Sequence, residues 1–347
     1  MTTESAFRVG LIGTESLPGR EIKNLLSVKR FPLTSIDFFD PDVEEEFSKL
    51  TQFQDEPKVI HHLDGKALEG LDLIFLAADD VTNRTYGRLA STAGYQAIEL
   101  GGTFSGDGSV PLVVAGVNDE AAARKRFPLI ANPLPATIIL SSLLDRLIGR
   151  FGVTTAVAFI LQPASAFDQA GISELADQST ALLSGAKPRK EVFKDQVAFN
   201  LLSRTEAADA AGFSCGERQV ISEVRRVLGR PDFPVTLSIV QTPVFHTYSI
   251  MAYVELAGPA GIPDLEAVYR SSPVFKVGPR SGSCPVSSMS VAGKDQIFIG
   301  QIKKEEDRSN AFWIWTVTDN LTRGSALNAL EIAERLQARR PPRRARS

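Results

Sequence analysis

The sequence predicts an α/β protein with two domains, and three observations lead to this prediction. Before about residue 130, short apolar segments alternate with segments of helical spacing, which is typical of a parallel sheet connected by helices. Beyond residue 150, long β-rich segments are interspersed with a few helices, as in a mixed sheet that is covered on one face. The length of 347 residues also corresponds to about two domains at roughly 150 residues each.

The first strand and helix are typical of the start of a nucleotide-binding domain. Gly13 follows an apolar strand and opens a turn, and a segment of helical spacing begins at Gly19. Such glycines allow the backbone to approach a pyrophosphate, and the helix N-terminus provides the positive end of its dipole. However, Gly10, Gly13 and Gly19 depart from the G-x-G-x-x-G spacing, and Glu15 lies in the turn. Cofactor binding and a turn retained only for folding therefore both stay open as interpretations.

The later elements of the first domain continue the alternation. A near-continuous apolar strand at 71–78 is what a sheet covered on both faces requires, and Asp79 is placed to cap the helix that follows, which extends to Ala93. The alternation at 58–63 predicts an edge strand, in which His61 and His62 are surface or packing residues. The other predicted strands are 7–12, 35–39, 95–100, 110–114 and 128–131, and the other predicted helices are 19–26 and 119–125.

Strands dominate the second half. Alternate apolar positions in segments such as 236–240 and 251–256 are enough to cover one face of a sheet, and an apolar face of that size favours a partner subunit. The predicted strands are 153–161, 235–242, 248–256, 297–303 and 313–317, and the predicted helices are 138–148, 172–183, 217–228 and 323–338.

Composition argues against several classes of function. The net charge of −3 does not favour nucleic-acid binding, and no apolar run approaches the roughly 18 residues of a membrane span. No signal peptide is recognised, so a cytoplasmic protein is expected. Cys215 and Cys284 lack metal-type spacing, and the three histidines, His61, His62 and His246, form no metal-binding motif with them. No metal site is therefore expected.

The most informative segment is the turn at residues 132–137, which reads Asn-Pro-Leu-Pro-Ala-Thr. It connects an apolar strand to an apolar helix, and the first N–H groups of a helix are available to stabilise an anion. A nucleophilic thiolate suits such a junction, because the helix N-terminus lowers the pKa of a thiol. The turn carries proline and leucine instead, which indicates a reactive site that has lost its nucleophile.

Three further segments carry a resemblance to a known family: 110–114, 197–200 and 318–329. On these residues the chain resembles, nearly from end to end, the aspartate-semialdehyde dehydrogenase family, and most of all its non-catalytic usg-type branch. The third segment is similar to the family's Asp-Asn-Leu, Gly-Ala-Ala and Asn-Ala signature, which packs against the cofactor domain.

The resemblance implies a domain arrangement. Residues 1–134 are expected to form a Rossmann-like NAD(P)-binding domain, and residues 135–321 a dimerisation domain of the semialdehyde dehydrogenase type. A helix at 322–338 is expected to return to the first domain, and a basic tail at 339–347 is expected to be disordered. Since the family pairs its second domains, the resemblance also implies a homodimer.

The family's chemistry can be compared with this chain position by position. In the family a cysteine attacks a carbonyl carbon, a histidine transfers the proton, NADP exchanges hydride and phosphate exchanges the acyl group. The resemblance places Pro135 at the cysteine and Tyr248 at the histidine, while Gln162 matches a glutamine near the cysteine. A tyrosine of pKa about 10 is a poor general base near neutral pH. His246 is expected on the same face of an extended strand as Tyr248 and is the substitute base.

Positions that bind anions in the family have also changed. Gln241, Ser105 and Gln219 stand where the resemblance places two arginines and a lysine. Each loss removes a charge-assisted contact that contributes roughly 1.5–3 kcal/mol to anion binding. The acidic run at 40–46 would repel the 2′-phosphate of NADP, which favours NAD, and Glu15 favours no dinucleotide at all. The candidate cofactor contacts are Gly10, Gly13, Thr14, Gly19, Asp40 and Asn320.

Two functions are compatible with these residues. The favoured one is a usg-type protein that has lost phosphate-dependent, NADP-linked semialdehyde dehydrogenase activity. It retains the dimeric fold as a non-catalytic paralogue or as a regulator of a partner that the sequence does not identify. The alternative is an oxidoreductase that acts on an aldehyde or oxo group with NAD(P) as acceptor, through altered site residues such as His246 or Tyr248.

Overall fold

The computed structural model describes residues 6–44, 49–123, 127–279 and 286–339. The chain forms two compact units: the first comprises the chain up to Leu134 together with the chain from Ser325 onward, and the second is Pro135–Gly324. Beyond its first residue, Arg339, the basic tail lies outside the described residues. Among the described residues, no helix is long and apolar enough to cross a membrane.

The regular elements alternate in the first unit and are richer in strands in the second. The strands are β1 (Phe7–Ile12), β2 (Leu33–Asp40), β3 (Lys49–Phe53), β4 (Glu56–His62), β5 (Leu73–Leu76), β6 (Gln96–Glu99), β7 (Leu129–Ala131), β8 (Val153–Gln162), β9 (Val235–Gln241), β10 (Tyr248–Leu256), β11 (Phe275–Val277), β12 (Ile297–Lys304) and β13 (Ala311–Thr318). The helices are α1 (Leu17–Val28), α2 (Asp80–Ala93), α3 (Glu120–Ala123), α4 (Pro135–Phe151), α5 (Asp168–Leu183), α6 (Cys215–Val227), α7 (Ile262–Arg270), α8 (Ser288–Val291) and α9 (Leu327–Ala338).

The first unit is built on a sheet with the order β3-β4-β2-β1-β5-β6-β7. All neighbouring strands are parallel except β3 and β4. This is the doubly wound Rossmann arrangement, in which the chain starts near the centre and adds strands on both sides. Helices α1 and α9 pack together over a buried apolar cluster that includes Leu26 and Leu330. The prediction of a Rossmann-like first domain is confirmed.

Local signals explain where α2 begins and ends. The Asp79 carboxylate accepts hydrogen bonds from the N–H groups of Val81 (2.9 Å) and Thr82 (3.0 Å), as predicted for an N-cap. These bonds hold the pKa of Asp79 below its ordinary value. Gly94 then ends the helix with a left-handed φ of 83°, a conformation that glycine adopts without steric strain.

The segment at 110–114 is not a strand, contrary to the prediction from its apolar run. Leu112 forms an isolated bridge, and the preceding Pro111 has no N–H to donate. The side chain of Asn118 bonds to backbone groups that a neighbouring strand would otherwise pair with. Its Oδ1 accepts from Val114 N (2.8 Å), and its Nδ2 donates to Leu112 O (2.9 Å). An asparagine side chain thus replaces strand pairing.

The strand that carries His61 and His62 is not at the sheet edge, which corrects a second prediction. The edge is formed by β3, which pairs antiparallel with β4. Both histidines are exposed, and His62 Nδ1 lies 2.7 Å from Val43 O. Alternation along a strand shows which face is solvated, but it does not show whether another strand lies alongside.

The second unit contains a mixed sheet with the order β11-β12-β13-β10-β8-β9. The outer pairs, β11 with β12 and β8 with β9, are parallel, and the other pairs are antiparallel. Helices α4, α6 and α7 pack against this sheet and bury side chains such as Ile160, Ala252 and Ile314. A mixed sheet covered by helices is what the sequence predicts for this half. The predicted C-terminal helix starts later than Arg323, because a π-helical turn at Thr322–Ala326 precedes α9.

Candidate functional site

The turn that the sequence marks as a lost reactive site leads directly into α4, whose first residue is Pro135. Proline suits this position, because the first N–H groups of a helix have no partner within the helix. The ring of Pro135 packs close to Gly324, where an added Cβ would lie 3.2 Å from the Pro135 Cβ. Position 135 therefore serves the helix start and its packing, and it presents no nucleophilic atom.

The side chains at the expected glutamine, histidine and first arginine positions form one hydrogen-bond chain, here named the Gln162 network. Tyr248 Oη donates to Gln162 Oε1 (3.1 Å), and Gln162 Nε2 donates to Gln241 Oε1 (3.2 Å). Gln241 Nε2 in turn donates to Thr242 O (3.1 Å). The three side chains meet because β8 and β9 end, and β10 begins, at the same edge of the sheet. The network is neutral and internally satisfied.

Burial keeps the phenol of Tyr248 protonated. Tyr248 is only 5% exposed, and burial raises the pKa of its hydroxyl well above the usual value. The amides of Gln162 and Gln241 do not titrate. The Gln162 network therefore has no group that exchanges a proton near neutral pH.

His246 does not share a strand face with Tyr248, which corrects a third prediction. Thr247, between them, has a left-handed φ of 76°, so the segment is not extended and β10 begins only at Tyr248. Such a conformation is uncommon for a β-branched residue. It is held by a 2.9 Å hydrogen bond from Thr247 N to Asn320 Oδ1. His246 Nδ1 is buried and has no hydrogen-bond partner among the described residues.

Asn320, an expected cofactor contact, is used inside the second unit. Its side chain is buried, its Oδ1 accepts from Thr247 N, and its Nδ2 donates to Ser165 Oγ (3.1 Å). Both polar groups of the amide therefore hold the segment before β10 and the short 3₁₀ turn at Ala164–Phe167.

The other positions of lost charge also make internal hydrogen bonds. Gln219 Nε2 donates to Glu223 Oε1 (3.1 Å), and the Thr137 hydroxyl donates to the second oxygen of Glu223 (2.6 Å). In the first unit, the Ser105 hydroxyl donates to Gly102 O (2.8 Å). Gln219, Thr137 and Ser105 are uncharged, so none of them supplies a positive charge for an anion.

The turn after β1 is closed by its own side chains. Gly13 has a φ of 85°, and an added Cβ on Gly19 would lie 1.9 Å from Gly13 O. Ser16 caps α1, because its Oγ accepts from Gly19 N (3.0 Å) while donating to Gly13 O (2.9 Å). Thr14 is fully buried, and its hydroxyl lies 3.2 Å from Phe39 O. Gly13 and Gly19 therefore allow this turn to be tight, because a side chain at either position would be strained or would clash with the backbone.

The remaining candidate glycine has a packing role. Gly10 lies inside β1, and an added Cβ would lie 2.7 Å from Leu71 Cδ1. A side chain at this position would displace Leu71 from the core.

The N–H groups that a pyrophosphate needs are already used in this turn. Pro18 has no N–H, and Glu15, whose carboxylate pairs with Arg20 (3.1 Å), would repel an anion. The residues whose N–H groups donate to protein oxygens are Gly13, Thr14, Glu15, Ser16, Gly19 and Arg20. The turn in this arrangement does not fit the pyrophosphate of a dinucleotide.

Asp40, at the end of β2, lies where NAD-binding domains place a carboxylate for the ribose. It is 4% exposed, and its Oδ2 is buried without a hydrogen-bond partner among the described residues. Burial raises the pKa of Asp40 to about 6, although a hydrogen bond from Glu15 N opposes the shift. Asp40 therefore suits a hydroxyl donor, whereas the neighbouring turn does not suit a phosphate.

Sequence reasoning missed three residues that shape these sites. Ser16 could have been found, because a serine two residues before a proline is a typical helix start. Glu223 carries no such signal, since a glutamate in an amphipathic helix is usually exposed. The left-handed Thr247 also has no local signal, because β-branched residues rarely adopt that conformation.

Comparison with known proteins identifies relatives over almost the whole chain. The family model described as "Semialdehyde dehydrogenase, dimerisation domain" matches residues 143–323. An aspartate-semialdehyde dehydrogenase of Shewanella sp. (strain DB6705) is 28% identical over 329 residues, which cover 94% of this chain and 97% of the relative. A USG-1 protein homolog of Azotobacter vinelandii is 26% identical over 337 residues, with 95% and 98% coverage.

A solved structure gives the same result. The structure of a probable aspartate-semialdehyde dehydrogenase from Pseudomonas aeruginosa matches with a TM-score of 0.89 and 26% identity, and the match covers 96% of this chain and 98% of that one. The agreement of sequence and fold over both units means that the chain belongs to the aspartate-semialdehyde dehydrogenase family, in which it has a relative of the USG-1 type.

Proposed function

We propose that this chain is a non-catalytic, homodimeric member of its family that serves as a binding or regulatory partner. The observation that supports this proposal most strongly is the Gln162 network, in which Tyr248 donates to Gln162 and Gln162 donates to Gln241. Semialdehyde oxidation requires a nucleophile and a base that exchange protons in each turnover. The network offers neutral amides and a buried phenol, and Pro135 has no nucleophilic atom.

The space beside the Gln162 network also supports the proposal. The recess lined by Gln162, Gln241, Ile239 and Arg204 has a volume of about 30 Å³. At roughly 10–15 Å³ for each water, this volume corresponds to about two water molecules. The enclosed part of this recess is therefore smaller than a semialdehyde together with an inorganic phosphate.

We extend the proposal to the cofactor. The closed turn at Ser16 and the ion-paired Glu15 support a first unit that binds no dinucleotide. Should one bind, Asp40 favours NAD over NADP, because a carboxylate accepts from a ribose hydroxyl and repels a 2′-phosphate.

The proposed homodimer rests on the face of the second sheet that α4 leaves open. Phe159, Met251 and Trp315 lie side by side on β8, β10 and β13, and Tyr253 pairs with Trp313 at a ring distance of 5.0 Å. We call these five residues the outer sheet face. Each is partly exposed, and Phe159 is 48% exposed. Apolar aromatic groups on one face are what a two-fold partner buries.

An activity assay tests the proposal. The purified chain is incubated with aspartate semialdehyde, saturating phosphate and either NADP or NAD, and reduced cofactor is measured by its absorbance. The Shewanella relative provides the positive control. We expect no signal above heat-treated protein, because both the thiol and the proton acceptor are missing. Phosphate-dependent turnover would overturn the proposal.

One observation favours the alternative, an oxidoreductase that acts on an aldehyde or oxo group with NAD(P). The unpaired Oδ2 of Asp40 is buried near the turn after β1 and lacks a donor that a ribose hydroxyl would supply. Thermal unfolding with and without NAD distinguishes the two functions. A rise in Tm with NAD that is lost in Asp40→Asn would favour the alternative, and an unchanged Tm supports the absence of a dinucleotide.

A further inference from the structure

An open groove runs along α6 and the segment that follows it. Its volume is about 730 Å³, and it is lined by arginines together with the side chains of Ile221 and Pro231. The lining arginines are Arg218, Arg225 and Arg226. We call this surface the α6 groove. It contains no residue of the Gln162 network, so its function does not depend on whether the chain turns over a substrate.

Two of the arginines are held in fixed positions at opposite ends of the helix. The Arg218 guanidinium stacks 4.0 Å from the centroid of the Phe213 ring, and its Nε donates to Asp209 Oδ2 (2.8 Å). Near the other end, Arg225 Nε donates to Phe233 O (3.1 Å). Guanidinium groups that are already ordered lose little conformational freedom when they bind an anion.

Only part of the positive charge beside the groove is compensated locally, because Arg218 forms an ion pair with Asp209 (2.8 Å). No carboxylate of a described residue forms an ion pair with Arg225 or with the adjacent, exposed Arg230. The two glutamates of α6, Glu217 and Glu223, are buried and take part in internal hydrogen bonds. Arg225 and Arg230 therefore leave excess positive charge at this end of α6, although the whole chain has a net charge of −3.

The length of the groove defines the size of its ligand. Arg218, Ser222, Arg225 and Gly229 occupy successive turns on one side of the helix and its extension. At 1.5 Å per residue, the distance from Arg218 to Gly229 is about 16 Å. An extended peptide covers that distance with about five residues at 3.3 Å each.

We propose that the α6 groove binds an acidic peptide segment of a protein partner. Fixed arginines recognise carboxylates through paired hydrogen bonds, and Arg clusters are a recurring means of binding acidic motifs. Ile221 and Pro231 provide apolar surface for a side chain between the carboxylates. The open shape suits a chain that lies along the helix.

Binding can be measured on the full chain by fluorescence anisotropy. The probe is a labelled peptide of alternating glutamate and leucine, and the reference is the same peptide with lysine in place of glutamate. We expect the acidic peptide to bind and the basic peptide not to bind, with affinity falling steeply as salt is raised.

Substitutions then locate the site. Arg225→Gln and Arg230→Gln are each expected to weaken binding about tenfold. Among the described residues, the side chain of Arg230 has no hydrogen-bond partner whose loss would disturb the fold. Arg88→Gln, an exposed arginine on α2, is the matched control and is expected to bind as the parent does. The proposal is overturned by equal binding of the basic peptide, by absence of binding at low salt, or by binding that Arg225→Gln and Arg230→Gln leave unchanged.

Discussion

The Tyr248 hydroxyl donates a 3.1 Å hydrogen bond to Gln162 Oε1. This contact joins the two positions that the resemblance assigns to the family's histidine and to its glutamine near the cysteine. The two side chains satisfy each other, and Gln162 Nε2 in turn donates to Gln241 Oε1. Because the phenol is buried and its pKa is raised, the Tyr248 hydroxyl keeps its proton near neutral pH and its hydrogen bond contributes to the fold.

Restoring the thiol alone should not restore activity. We expect Pro135→Cys to react with a thiol reagent, because a helix N-terminus stabilises a thiolate, yet to produce no NADPH from aspartate semialdehyde and phosphate. The neutral Gln162 network still lacks a base, and Gln241 and Gln219 still lack charge. The parent chain corrects for labelling of the exposed Cys215. Turnover by the single variant would show that the missing base and cations are dispensable.

Removing the Tyr248 hydroxyl should destabilise the chain. Tyr248→Phe removes the donor to Oε1 of the half-buried Gln162, and we expect the free energy of unfolding to fall by about 1 kcal/mol. Urea unfolding followed by circular dichroism measures this change. Tyr86→Phe is the matched control, because its hydroxyl bonds to Leu63 O (3.2 Å) near the surface, where water can replace it. Equal losses in the two variants would contradict a specific role for the network.

Stability should depend on pH through Glu99. This side chain is fully buried, and burial raises its pKa from 4.5 to about 7, although N–H groups of Gly101, Thr103 and Phe104 oppose the shift. Below pH 4.5 both the folded and the unfolded forms are protonated. Between pH 4.5 and 7 only the folded form keeps the proton, so stability falls as pH rises and levels off above pH 7.

A substitution isolates this contribution. A rise of the Glu99 pKa from 4.5 to about 7 corresponds to roughly 3 kcal/mol of stability lost across that pH range. Glu99→Gln keeps an acceptor for Gly101 N and removes the titration. The free energy of unfolding of Glu99→Gln should therefore increase relative to that of the parent as pH rises. Parallel pH profiles for the two proteins would show that Glu99 does not titrate in this range.

The outer sheet face should form the dimer interface. We expect the parent to sediment as a dimer at micromolar concentration and to bury more than the roughly 1,200 Å² of a specific interface. Phe159→Asp should yield a monomer that still folds, since Phe159 is 48% exposed within one chain. Val81→Asp, at a side chain of α2 that is 76% exposed, is the matched control and should remain dimeric. A parent that sediments as a monomer, or a dimeric Phe159→Asp, would contradict the assignment.

The sequence was sufficient for most of the fold, because burial imposes a period on each element. The apolar run before Gly13 is β1, the Asp79 cap starts α2, and the long segment from Val153 to Gln162 is β8. Prediction failed where a side chain or a second strand replaced the pairing that the local pattern predicts. Asn118 occupies the hydrogen-bonding groups of the segment at 110–114, and β3 covers the edge of β4.

For the candidate site, the sequence by itself determined which chemical groups are present. A proline at position 135 and a tyrosine at position 248 exclude a thiolate and an imidazole there in any conformation. Only the tertiary structure decided what those groups do, because Gln162 lies 79 residues from Gln241 and 86 residues from Tyr248 along the chain, and the three meet at one sheet edge. The same holds for Thr247, whose left-handed backbone is maintained by Asn320 across 73 residues. Local sequence sets chemistry and periodicity, whereas long-range packing sets which polar groups satisfy each other.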